Sequence, residues 1–106
     1  MSPVYNKLVR DRIPDIIQAA GRTCTTEILD DEEYRHALQE KLVEEAHEAA
    51  HADRVDLITE LADLQEVIEA VLRLEGIARE DVAAEQRRRR EERGGFERRL
   101  CLVWAE

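Results

Sequence analysis

Glu45 and Glu48 in one stretch, and Glu60 and Asp63 in the next, form two acidic pairs with i, i+3 spacing. That spacing places both members of a pair on one face of a helix. The apolar pattern around them turns those faces toward the inside of a helical hairpin. A buried carboxylate costs several kcal/mol unless it is paired or bound to a cation. Four inward carboxylates without a matching set of bases suggest a site for hard divalent ions. Mg²⁺ is the expected ion and Mn²⁺ the alternative, since both prefer oxygen ligands. An enzyme is the leading expectation.

The elements that must position these residues can be read outward from them. Asp30, with Glu33 three residues on, gives a capping-box start. A long helix is expected from about Asp31 to about Ala50. A second is expected from about Arg54 to Glu75, capped by Asp53 and stopped by Gly76. The short link makes them antiparallel neighbours. Pro14 suits a first turn and Gly21 an end, so Pro14 to Ala20 reads as a short helix. A further helix is expected from about Arg79 to Arg93, ending at Gly94 and Gly95. Thr23 to Leu29 is rich in β-branched residues and reads as a short strand, as does Phe96 to Trp104. The two strands could pair with each other. The fold class is therefore mainly all-α with two short peripheral strands, near residues 23–29 and 96–104. With no internal repeat and no composition break, residues 1–106 are expected to form a single domain.

Residues placed about 100° apart around each helix sharpen the geometry. Tyr34, Leu38, Leu42, Ala46 and Ala49 form the apolar arc of the first long helix, with Glu45 inside it and Glu48 at its edge. Leu57, Leu61, Leu64, Val67, Ile68 and Val71 form the arc of the second, with Glu60 inside and Asp63 at its edge. Folding the chain about Ala52 and Asp53 brings Glu45 and Glu60 to the same height. Helical side chains lean toward their own N-terminus, so Glu48 leans away from the turn and Asp63 toward it. The four carboxylates converge. The competing reading is neutralisation by Lys41, at i−4 from Glu45, and by nearby arginines. Lys41 can satisfy one carboxylate but not four.

Composition removes several function classes. The 106 residues allow one modest core, and 4% aromatic content favours a helical core of small aliphatics. A net charge of −9 argues against nucleic-acid binding, because phosphate contacts need a basic surface. A nucleotide remains open if metal ions stand between carboxylates and phosphates. No apolar run approaches the roughly 18 residues of a membrane span, and the N-terminus lacks an apolar signal core. A cytoplasmic protein is expected. Cys24 and Cys101 are too few for a disulfide framework or zinc cluster and read as small apolar residues.

Two further patterns carry less weight. His47-Glu48-Ala49-Ala50-His51 spells the zinc-protease H-E-x-x-H, but its histidines fall on the polar face of the helix. Arg87 to Arg90 is a charge run followed at i+4 by Glu91 and Glu92, the pattern of a solvated helix face.

Glu44-Glu45-Ala46-His47-Glu48, followed by Glu60-Leu61-Ala62-Asp63, resembles the E-E-x-x-E … E-x-x-D signature of the MazG-like all-α nucleoside triphosphate pyrophosphohydrolases. The opening Tyr5 to Pro14 and the closing Arg93-Gly94-Gly95-Phe96 resemble a small house-cleaning branch of that superfamily, related to phosphoribosyl-ATP pyrophosphohydrolases. The resemblance covers nearly the whole chain. It implies Mg²⁺-dependent cleavage between the α- and β-phosphates, giving a nucleoside monophosphate and pyrophosphate. By position, Glu45, Glu48, Glu60 and Asp63 would hold the metal, with Glu45 and Glu44 as the catalytic pair. Glu44 would add a ligand or orient the attacking water. A triphosphate needs cations beyond the metal. Lys7, Arg10 and Arg12 are the candidates for phosphate contact, then Arg93, and Lys41 is grouped with them as substrate-binding. Surface pairing with local acids such as Asp11 is the competing reading for these bases. Gly94 and Gly95 read as a helix cap and turn, and Phe96 and Trp104 as core packing rather than base stacking.

The superfamily builds helix bundles from more than one chain. A homodimer or homotetramer is therefore implied, with the hairpin completing a four-helix bundle. The additional apolar residues Val43, Ile58 and Leu74 agree with this. Three functions stay in view. The first is hydrolysis of a nucleoside triphosphate, a noncanonical one included. The second is phosphoribosyl-ATP hydrolysis in histidine synthesis. The third is a non-catalytic helical module that binds a nucleotide or a partner.

Overall fold

The computed structural model describes residues 6–106, and Tyr5, part of the opening motif, lies outside that range. Four helices follow one another: α1 (Ile13–Ala19), α2 (Asp31–His51), α3 (Leu57–Glu75) and α4 (Arg79–Arg93).

Local chemistry sets the helix ends. Asp30 and Glu33 form a full capping box: the Asp30 carboxylate accepts from the Glu33 N–H at 2.8 Å, and Glu33 accepts from the Asp30 N–H at 3.1 Å. Gly76 adopts the left-handed conformation at φ 65°, which an L side chain resists. The Ile77 N–H then reaches the Leu72 carbonyl and the Gly76 N–H reaches Arg73, the Schellman arrangement. Helix α3 starts three residues later than Arg54, at Leu57. The Asp56 N–H bonds the Asp53 carbonyl at 3.0 Å, so Asp53 opens a turn instead of capping the helix.

Helices α2 and α3 pack against one another as an antiparallel hairpin. Arg35, near the start of α2, donates to Glu75 at the end of α3 at 2.8 Å and fixes their alignment. Leu38 and Val67 form the buried centre, at 2% and 8% exposure. Val43 and Ile58 point outward and are largely exposed. The radius of gyration is 18.4 Å, against about 13 Å for a compact chain of this length. The hairpin is thus an incompletely covered unit.

The two strand expectations are corrected. Among the described residues there is no strand. Residues 22–30 form no regular secondary structure, and Ile28 is fully exposed. Phe96 to Arg99 form a turn, in which the Arg99 N–H meets the Phe96 carbonyl at 3.0 Å and Arg99 takes a φ of 58°. From Leu100 onward the chain has no regular secondary structure. Phe96 and Trp104 are exposed, so the expectation that they pack in a core is also corrected. β-Branched composition prepares a segment for pairing, but a strand needs a partner, and neither segment meets one among the described residues.

Candidate metal centre

The hairpin brings Glu45 of α2 and Glu60 and Asp63 of α3 together. One carboxylate oxygen from each lies within 4.8 Å of the other two. Opposite ligands of an octahedral Mg²⁺ stand about 4 Å apart, twice the usual 2.0–2.1 Å bond. Neighbouring ligands of such an ion stand about 3 Å apart, so the three side chains, on flexible carboxylate arms, would have to draw together by up to about 2 Å to share one ion. The donor set is all oxygen and half-buried, which fits a hard divalent cation.

Glu48 lies one turn further along α2 and is exposed. It stands outside the close trio, yet the cluster feels its charge. Glu60 is held above the ordinary carboxylate range, first by partial burial, then by the negative charges of Glu48, Asp63, Glu45 and Asp56. The sequence reading missed Asp56, although its i−4 spacing from Glu60 was the available signal.

Three bases meet the acids. Arg10 donates to Asp63 at 2.6 Å. Lys41 lies 3.6 Å from Glu45 and 3.5 Å from Glu44. Lys7 lies 3.7 Å from Glu44. The side chains of Lys41 and Glu45 are the most enclosed of these, at 19% and 12% exposure. Five carboxylates (Glu44, Glu45, Glu48, Glu60 and Asp63) thus face three cations. Neutralisation by local bases is real but incomplete, and the remaining negative charge still favours a cation. Arg10 and Lys7 arrive from the segment before α1, a long-range contact that helix periodicity does not reveal.

Arg12 is exposed beside α1, and Arg93 closes α4. Neither makes an ion pair or side-chain hydrogen bond with the acidic cluster among the described residues. The structure does not bring these two substrate-binding candidates to the site. His47 and His51 stack at a ring distance of 4.2 Å and are exposed. The His51 Nδ1 lies 2.9 Å from the His47 carbonyl oxygen. Among the described residues no third ligand joins them, so the H-E-x-x-H pattern does not assemble a zinc site. Arg88 pairs with Glu85 and Glu92, as a solvated charge run should.

The profile of the phosphoribosyl-ATP pyrophosphohydrolase family matches residues 9–90, most of the chain. The chain belongs to that family, within the MazG-like all-α nucleoside triphosphate pyrophosphohydrolase superfamily. It is also similar to an uncharacterized protein of Mycolicibacterium smegmatis, with 50% identity over 54 residues. That alignment covers 51% of this chain and 55% of the relative. No solved structure matches. No helix is long and apolar enough to cross a membrane, among the described residues.

Proposed function

We propose that this chain hydrolyses the α–β phosphoanhydride of a nucleoside triphosphate, noncanonical ones included, releasing a nucleoside monophosphate and pyrophosphate. The observation that carries this reading is the convergence of Glu45, Glu60 and Asp63 across the α2–α3 hairpin. Family membership supports it. Glu45, Glu48, Glu60 and Asp63 would hold Mg²⁺, or Mn²⁺ in its place. The bound ion would neutralise phosphate charge and lower the pKa of its water. Glu44 and Glu45 orient the attacking water for in-line displacement at phosphorus. Lys7, Arg10 and Lys41 lie beside the acids and supply positive charge to the polyphosphate, where positioning and electrostatics do most of the catalysis. Arg12 and Arg93 join this group only if the chain or a second copy brings them closer.

Residues 1–106 act as one domain. The outward apolar side chains of the hairpin, Val43 and Ile58 among them, support a homodimer or homotetramer built as a four-helix bundle. The protein would work in the cytoplasm, on free nucleotides rather than nucleic acid.

The family description favours a second substrate, phosphoribosyl-ATP. It would use the same acids, so geometry does not separate the two. Product analysis with Mg²⁺ does so directly. The panel holds standard, oxidised, deaminated and methylated triphosphates beside phosphoribosyl-ATP. Turnover of the triphosphates supports the first reading, and turnover of phosphoribosyl-ATP alone the second. No turnover, with Mg²⁺ still raising the melting temperature, would point to a binding module.

A further inference from the structure

We propose that the C-terminal tail, Leu100 to Ala105, crosses to a second copy of this chain and pairs along that copy's extended segment, Arg22 to Leu29. The inference goes beyond the hydrolase reading and needs none of its metal chemistry. Among the described residues neither segment belongs to a helix or a strand, and neither has a strand partner. Paired as strands, their backbone N–H and C=O groups would satisfy one another, the way an added strand is held on a sheet edge.

The side chains point the same way. Leu102 and Trp104 are 82% and 75% exposed, and Ile28 is fully exposed. An aromatic side chain buries about 150–250 Å² when covered. Covering Trp104 with Leu100, Leu102 and Val103 on both tails of a two-fold pair would remove exposed apolar surface from water in both copies. Every copy carries both the tail and the receiving segment, so the exchange closes as a symmetric dimer.

Charge selects the same partner. Seven arginines stand between residues 87 and 99, against three glutamates. The receiving segment runs into Glu27, Asp30, Asp31, Glu32 and Glu33, with no basic residue between positions 23 and 33. Arg98 and Arg99, at the root of the tail, would meet that acidic run. Opposite charges across a strand pair stabilise it, and like charges oppose it.

The two free cysteines fall one in each segment, Cys24 and Cys101. They provide the test. A tagged Cys24→Ser chain and an untagged Cys101→Ser chain are co-expressed and treated with a flexible bismaleimide, and the cross-linked peptides are mapped. The expected product is a covalent dimer in which Cys101 of the tagged chain is joined to Cys24 of the untagged one. Leu102→Asp in the tail should abolish that product without changing helix content. Glu45→Gln should leave it intact, which separates this proposal from the fate of the hydrolase reading. Absence of the Cys24–Cys101 link between chains overturns the proposal, whether the protein is a monomer or associates through its helices alone. A link confined to a single wild-type chain overturns it equally.

Discussion

Arg10 donates a hydrogen bond to Asp63 at 2.6 Å, across 53 residues of sequence. This contact ties the segment before α1 to the acidic centre. It also places a fixed cation on a candidate metal ligand. Arg10 and a divalent ion therefore compete for Asp63. Arg10→Ala should tighten Mg²⁺ binding to the free protein. The effect should be a few-fold at most, because half-exposed ion pairs are worth up to about 1 kcal/mol. The same variant should raise KM for the triphosphate. Calorimetric titration with Mg²⁺ alone and steady-state kinetics measure the two effects. Weaker Mg²⁺ binding would show that Arg10 organises the ligands instead of competing with the ion.

The Leu38 side chain is at the centre of the hairpin, and the outward residues test what lies beyond it. Leu38→Ala should destabilise the fold by about 2–5 kcal/mol, measured by urea unfolding. Val43→Asp should leave helix content intact and shift light scattering to a smaller species. An unchanged mass would place the oligomer contact elsewhere.

Glu60 gives the metal-free protein a defined pH dependence. Its carboxyl is held above the ordinary value of 4.5 by partial burial and by its acidic neighbours. The folded chain therefore keeps a proton that the unfolded chain has released. Stability from this group falls as pH rises from the ordinary value through the raised one. Glu60→Gln should flatten that slope in unfolding curves recorded with a chelator. Mg²⁺ affinity should weaken as pH falls through the same window, since the ion needs the carboxylate.

Asp30→Ala removes one half of the capping box at the start of α2. The expected loss is about 1 kcal/mol, read from the unfolding midpoint. Glu33→Ala should lose less, because the Asp30 side chain still accepts from the backbone N–H of residue 33.

Local signals made the helices legible. Asp30 with Glu33, Gly76 and Gly94 mark ends that depend on neighbouring residues only, and the acidic trio follows from helix periodicity plus a short turn. The start of α3 was misplaced because Asp53 and Asp56 close a turn that competes with a cap. The strands could not be read correctly, since a strand depends on a pairing partner that β-branched composition does not name. The contacts of Arg10 and Lys7 with the acids join distant parts of the chain, so only the fold shows which bases reach the site. Arg12 and Arg93 have the same chemistry and no such contact among the described residues.

The central claim is that the acids of α2 and α3 drive α–β cleavage. Phosphorus NMR of a triphosphate incubated with Mg²⁺ and either wild type or Glu45→Gln tests it most directly. The account predicts monophosphate and pyrophosphate from the wild type, and at least a hundredfold slower release from the variant, about 2.7 kcal/mol of barrier. Equal rates for the two proteins, or release of inorganic phosphate and the nucleoside diphosphate instead, would contradict it.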